Sequence, residues 1–230
     1  MSLKSGQKTA TPTIESYLEI IYMMVVEGQP VIGARLAEAL RVSRPTVTTT
    51  LKRMVRDGYV TLNEHKAIQM TARGQDIAEH LQRRHRVVER WLTDVLGFDW
   101  AKSDAEAHKI EHAMSDAVFE LLNKQLGYPP TCPHGNPIPG NGRARANADK
   151  SLQLSDAHKN DQLTVIRISE YAENVGELLA YLGALGLVPD AKVTVVEIAP
   201  LDGPLTCRVG GKLISLSRLV ARFVWVSRAE

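Results

Sequence analysis

The chain has 230 residues, 44% of them hydrophobic and 23% charged, with two cysteines, Cys132 and Cys207. These values exclude disorder throughout, a collagen and a disulfide scaffold. The longest apolar run, Ile20 to Val26, is far short of the ~20 residues that span a bilayer. The polar start, Met1–Thr13, does not read as a signal peptide, so a reducing cytoplasm is the expected location.

The net charge of +2 is unevenly spread. Residues 1–75 carry 10 Lys+Arg against 6 Asp+Glu, residues 76–130 carry 7 against 10, and residues 131–230 carry 11 against 10. A basic first third suits a polyanionic partner. Four of the seven histidines, His80, His85, His108 and His112, lie in the acidic middle, and imidazole mixed with carboxylate is the composition of a divalent metal site.

In chain order, a helix is predicted from Ile14 to Glu27, capped by Thr13, with Tyr17, Leu18, Ile21 and Met24 on its apolar side. A shorter helix near Ala34–Leu40, the turn Arg41-Val42-Ser43 and a third helix to Asp57 follow, with Gly58 as the stop. Residues 59–71 alternate with period two and predict a hairpin around Glu64-His65-Lys66. Thr71 can cap a long helix to Leu96, and two more are expected at about 103–113 and 116–126. Leu81, Val88, Leu92, Val95 and Leu96 on the long helix are expected to need a partner surface. Five of the eleven prolines fall between Pro129 and Pro139, so 131–160 reads as a linker. The runs Leu163–Ile168, Val193–Ile198, Leu205–Val209, Leu213–Leu216 and Phe223–Val226, interrupted by one helix at about Asn174–Leu185, predict a small SH3-like barrel.

Residues 34–57 have the form of a helix-turn-helix. Ser43 suits the N-cap and Pro45 the first turn, and Val47, Leu51, Met54 and Val55 share one apolar face. The other face offers Arg44, Thr46, Thr48, Thr49, Lys52, Arg53 and Arg56, hydroxyls and cations that reach phosphates and base edges in a major groove. The hairpin would be a wing with Lys66 at its tip. The bland alternative is a helical hairpin with a solvated face.

His108, Glu111 and His112 share one helical face, with Asp104 one turn earlier, and His85 and Glu89 share a face of the preceding helix. Two such faces can enclose a divalent ion. The spacing H-x-x-E-H also matches a zinc protease motif with Glu111 as general base. A sensor is favoured because the motif follows a DNA-binding pattern directly. Cys132-Pro133-His134-Gly135 places a thiol and an imidazole two residues apart, able to chelate one ion. His65, His80, His158 and Cys207 read as surface or structural residues.

Taken together, the chain resembles the diphtheria-toxin-repressor and manganese-transport-regulator family of metal-dependent repressors. The resemblance rests on Ser43-Arg44-Pro45-Thr46-Val47, Arg53 to Val60, His85 to Glu89, and Glu111-His112-Ala113-Met114-Ser115-Asp116. It implies a mainly α chain: a winged helix-turn-helix over 1–71, a helical metal-binding and dimerisation domain over 72–130, the linker 131–160 and an SH3-like, FeoA-type barrel over 161–230. It implies a primary site of His85, His108, Glu111 and His112, and a secondary site of Glu89, Cys132 and His134 completed by a barrel carboxylate, Glu173 or Glu177. The family's first-helix ligand is Ser16 here, a poor ligand, so Glu15, Glu19 or water takes its place. The expected cofactor is Mn2+ or Fe2+ at two sites per subunit, and the expected partners are operator DNA and a second copy of the chain. The function expected is repression of metal-uptake genes, with the zinc hydrolase as the alternative.

Overall fold

The computed structural model of the chain describes residues 10–111, 113–142, 151–172 and 177–228. The chain divides into two compact units, Met1–Gln82 and Arg83–Glu230.

The first unit opens with α1 (Pro12–Val26), whose proline sits in the first turn where no amide partner is needed. Ile14, Tyr17, Leu18, Ile21 and Met24 form its buried stripe. The short α2 (Gly33–Ala39) buries Leu36 and Ala37. The recognition-like α3 (Arg44–Arg56) starts at Ser43, whose hydroxyl accepts from the Thr46 amide. Val47, Leu51 and Met54 are buried, but Val55 is 41% exposed. The apolar face of α3 is therefore one residue narrower than expected. Gly58 ends the helix with φ +75°, a conformation that suits glycine. The strands β1 (Val60–Leu62) and β2 (Ile68–Met70) pair antiparallel. Asn63 Oδ1 closes the connecting turn by accepting from the amides of His65 and Ala67, and Lys66 takes a left-handed φ of 58° there.

The expected long helix is α4 (Ala72–Arg90), followed by a π-type turn over Trp91–Val95 instead of regular helix to Leu96. Thr71 caps it by accepting from the Gly74 amide at 3.1 Å. The residues of α4 after Gln82 belong to the second unit.

In that unit, a 3-10 turn at Trp100–Lys102 leads into α5 (Ser103–Glu111), and Ser115 caps α6 (Asp116–Gln125). Val87 packs with Phe119 and Ile138, and Val88 with Leu92 and Ala107. Leu81, Val88 and Leu92 are thus buried inside the chain itself, contrary to the expectation that they face a partner. Among the apolar residues left exposed on the helical part of this unit are Val95, Leu96, Phe98, Val118 and Leu121. Residues 128–142 contain no helix or strand beyond one isolated bridge, Thr131 to Pro137, yet Thr131 through Asn136 are all buried. This proline-rich stretch is irregular, as predicted, but it is packed core.

The C-terminal strands are β3 (Leu152–Gln153), β4 (Gln162–Ile168), β5 (Lys192–Ile198), β6 (Leu205–Val209), β7 (Lys212–Leu216) and β8 (Val224–Arg228). They form one six-stranded sheet, ordered β3-β8-β4-β5-β6-β7, in which every neighbouring pair is antiparallel. Bulges in β4 and β5 bend it around a core that includes Val165, Val195, Cys207 and Val226. The helices α7 (Leu178–Ala184) and α8 (Arg218–Ala221) complete the unit. The sheet starts earlier than the expected boundary at 161, because β3 pairs with β8 and Leu154 and Ala157 enter the core. A two-residue strand and a one-turn helix are too short to leave a periodicity in the sequence.

Gly74 lies where α4 passes the backbone of Tyr59, and a Cβ there would sit 2.1 Å from the Tyr59 carbonyl oxygen. Helix propensity alone makes Gly to Ala stabilising by about 1 kcal/mol. The close approach reverses that sign. Gly74→Ala is expected to lower the urea midpoint by the equivalent of about 1–3 kcal/mol with an unchanged m-value.

Candidate functional site

Two side-chain clusters assemble on the second half of α4. His85 and Glu89 are one turn apart on the same face, as their spacing requires. Facing His85, the end of α5 brings Glu111, whose two carboxylate oxygens are taken by two imidazoles. His85 Nδ1 is 2.7 Å from Oε2 and His108 Nδ1 is 2.9 Å from Oε1. His85 Nε2 is 3.0 Å from Asp104 Oδ1 and 3.9 Å from Glu89 Oε1. Ligand atoms of His85, His108 and Glu111 lie within 4.8 Å of one another.

The second cluster is Glu89, Cys132 and His134, all buried, again with ligand atoms within 4.8 Å of one another. The Cys-Pro-His-Gly loop is held by its backbone. The Cys132 amide donates to the Asn136 carbonyl, the Ile168 amide to the His134 carbonyl, and the Asn136 side chain to the Ile168 carbonyl. Gly135 makes this approach possible: its φ is +88°, and a Cβ would sit 2.2 Å from the Ile166 carbonyl oxygen. The Trp100 indole donates to the Pro133 carbonyl and its ring lies 4.8 Å from that of His134.

The donor chemistry of this second cluster fits a cation. His134 Nε2 lies 3.0 Å from the Trp100 carbonyl, which can only accept, so Nε2 carries a proton. In a neutral ring Nδ1 is then a lone pair, 3.0 Å from Glu89 Oε1. Two acceptors at that distance repel each other, and a divalent ion bound by both removes the repulsion. Burial and the Glu89 charge push the Cys132 thiol far up, so a cation is also what the thiolate needs in order to form.

The electrostatics around both clusters oppose burial. Burial disfavours charge on His85, but hydrogen bonds to Asp104 and Glu111, with the Glu89 charge, outweigh it and hold its pKa well above 6.5. Burial likewise raises Glu89 and Glu111. The imidazoles of His134 and His85 bring Glu89 below the ordinary 4.5, and those of His108 and His85 do the same for Glu111.

Among the other expected ligands, His112 and Glu173 lie outside the described residues. Glu19 is on α1, in the first unit. Glu177, expected from the barrel, is exposed before the first turn of α7 and belongs to neither cluster. The carboxylate that the sheet end does bury is Glu170, which pairs with the fully buried Arg86, while Arg86 also donates to the Pro137 carbonyl. Arg84 donates to the Glu111 carbonyl at 3.2 Å and to Asp116 at 2.5 Å, tying the end of α5 to the start of α6. None of these three residues was singled out by sequence reasoning. A run of arginines on a helix reads as a solvated face, and only the tertiary fold buries it.

The expected DNA-contacting residues, Ser43, Arg44, Pro45, Thr46, Thr48, Thr49, Lys52 and Lys66, are all exposed. Thr48 and Thr49 donate to the carbonyls of Arg44 and Pro45, which satisfies their hydroxyl protons within α3 and leaves their lone pairs outward. Arg53 and Arg56 are paired with Asp57. His65 and His80 are exposed and Cys207 is in the sheet core, as expected, whereas His158, read as a structural residue, is exposed.

Residues 9–68 match the iron dependent repressor, N-terminal DNA binding domain; residues 71–140 match the iron dependent repressor, metal binding and dimerisation domain; residues 152–228 match the FeoA domain. The chain is 35% identical over 224 residues to the iron-dependent repressor IdeR of Mycobacterium leprae (strain TN), covering 94% of this chain and 97% of that protein. It is 36% identical over 216 residues to the diphtheria toxin repressor of Corynebacterium diphtheriae, covering 91% and 94%. A solved manganese-dependent transcriptional repressor in complex with manganese superimposes with a TM-score of 0.83 at 29% identity, covering 94% of this chain and 100% of that one.

The shifted groups set the pH response of the metal-free chain. His85 is raised, so its contribution is complete below pH 6.5 and is lost as pH climbs through its higher folded value. Glu89 and Glu111 are lowered, so theirs is present above pH 4.5 and lost as pH falls through their folded values. Urea unfolding in excess chelator should show a midpoint that declines as pH rises above 6.5. That alkaline decline should be absent in His85→Gln.

Proposed function

Because the chain belongs to the iron-dependent repressor family, we propose that it represses metal-uptake genes by binding operator DNA as a metal-loaded homodimer. Members of the family are metal-dependent transcriptional repressors and not enzymes, so Glu111 has no role as the general base of a zinc hydrolase. The observation that carries the reading is the pair of ligand clusters that α4 shares with α5 and with the Cys132–His134 loop, within the metal-binding and dimerisation domain of a chain that also has a DNA-binding domain.

His85, His108 and Glu111, with His112, would hold one ion, and Glu89, Cys132 and His134 a second. Nitrogen and oxygen donors without sulfur at the first favour Mn2+ or Fe2+. A bound divalent ion supplies positive charge that offsets the buried carboxylates. Glu111 bridges the imidazoles of α4 and α5, and Arg84 fixes its backbone against α6. Glu89 and the Cys132–Gly135 loop tie α4 to β4. The exposed residues Val95, Leu96, Phe98, Val118 and Leu121 offer an apolar face for the second copy.

The α1–α3 unit with its hairpin acts as a winged helix-turn-helix, α3 entering the major groove and Lys66 reaching a phosphate. Two such helices in a dimer must stand about one DNA turn, ~34 Å, apart. Metal that favours the correctly spaced state strengthens DNA binding, and DNA strengthens metal binding by the same factor, typically ~1–3 kcal/mol. We assign residues 1–71 to DNA binding, 72–130 to metal binding and dimerisation, 131–160 to a connecting segment and 161–230 to an SH3-like barrel. The cytoplasm is the compartment where operator DNA and a reduced Cys132 coexist.

Operator binding measured in chelator, then with Mn2+ or Fe2+ at fixed salt, tests the reading. Wild type should gain about 5–150-fold in affinity on metal addition. Glu111→Ala should lose that gain while remaining dimeric, and Mn2+ activation equal to wild type would refute the primary site.

The DNA face is tested separately. Thr46→Ala should weaken operator binding while leaving metal affinity without DNA unchanged. Lys66→Ala should weaken all sequences alike and reduce the salt slope by about one phosphate. Wild-type DNA titrations in both variants would remove the winged-helix assignment.

A further inference from the structure

His85 is the contested residue of the site. Among the described residues, three groups of potential ligands have atoms within 4.8 Å of one another: His85, His108 and Glu111; Glu89, Cys132 and His134; and His85, Glu89 and Asp104. The first two share no residue. The third takes His85 from one and Glu89 from the other. If both independent groups act as sites, the third has only Asp104 left.

The two nitrogens of His85 face different ways. Nδ1 is against Glu111 at 2.7 Å, and Nε2 is against Asp104 at 3.0 Å, with Glu89 at 3.9 Å. A neutral imidazole has one lone pair and one N–H. Nδ1, the nitrogen on the His108–Glu111 side, is the one that can serve that group. The proton then stays on Nε2, and the acceptor within hydrogen-bond distance is Asp104 Oδ1.

We infer that Asp104 is not a metal ligand but a positioning residue, which accepts the Nε2 proton of His85 and so fixes the ring with its Nδ1 lone pair toward the His108–Glu111 cluster. This rests on the reading of that cluster as a metal site. Asp104 lies in the first turn of α5, while Glu111 ends the same helix. One helix thereby grips both nitrogens of one ring. The carboxylate also makes His85 a more basic ligand, and loss of such a partner typically costs 10–100-fold in metal affinity. Its bond to Nε2–H further keeps that proton from Glu89, which is left to the Cys132–His134 cluster.

Calorimetric titration of the full chain with Mn2+ alone separates the possibilities, using wild type, Asp104→Asn, Asp104→Ala and Glu111→Gln. Positioning predicts that Asp104→Asn binds the wild-type number of ions, because its amide oxygen still accepts the N–H. It also predicts that Asp104→Ala binds at one site about 10–100-fold more weakly, with Asp104→Asn between the two. In the Zn2+-loaded protein, nitrogen NMR of the His85 ring should show Nε2 protonated. Loss of one ion equivalent in Asp104→Asn would make Asp104 a ligand, and wild-type affinity in Asp104→Ala would make it decorative. Either result, or a metal-bound Nε2, overturns the proposal. Glu111→Gln identifies the level of failure. If it keeps every ion at wild-type affinity, the primary site itself is wrong; if it loses one while Asp104→Ala is unaffected, only the role of Asp104 is wrong.

Discussion

Two carboxylates, Glu89 and Glu111, are 1% and 2% exposed, and the layout of the second unit follows from keeping them charged. Taking a carboxylate out of water costs several kcal/mol even after relaxation, unless it is paired and hydrogen-bonded. Each therefore has an imidazole on it: His134 for Glu89, His85 and His108 for Glu111. Imidazole meets that need with a proton or by sharing a divalent ion with the carboxylate. A divalent ion bound there would displace those protons, so metal and protons would compete for the same groups.

The irregular 128–142 stretch is part of the same solution. Buried backbone without helix or strand needs other partners. Here the Asn136 carbonyl, the Ile168 amide and the side chains of Arg86, Arg90 and Asn141 provide them. Arg90 donates to the carbonyls of Thr131 and Cys132, so α4 itself holds the loop that bears the second cluster. Arg86, fully buried, joins that loop to Glu170 at the end of β4. The FeoA-type sheet is therefore bonded to the loop that carries Cys132 and His134. Removing either member of the Arg86–Glu170 pair would leave a buried charge uncompensated, a loss of about 3–5 kcal/mol.

The DNA-binding unit shows a different economy. The run Thr46 to Thr50 is poor helix material by propensity, because β-branched side chains lose rotamer freedom. Thr48 and Thr49 recover part of that by donating to carbonyls four residues back, and the Ser43 cap secures the start. Local bonds thus hold an exposed, hydroxyl-rich surface in helical form before any partner arrives.

Much of this was legible in the sequence. Period 3.6 marked α1 and α3, period two marked the hairpin, short apolar runs marked the main C-terminal strands, and the caps at Ser43, Gly58 and Thr71 ended or began helices where the structure has them. The spacings of His85 with Glu89, and of His108 with Glu111, placed each pair on one helical face, since that depends only on local geometry. Burial and meeting do not. That Leu81, Val88 and Leu92 turn inward, that β3 begins nine residues before the expected boundary at 161, that Glu170 is a buried acid while Glu177 is exposed, and that Asp104 stands on the far side of the His85 ring were decided by the tertiary structure alone. Each depends on which side of an element faces another element remote in sequence, and a local pattern carries no information about that distance.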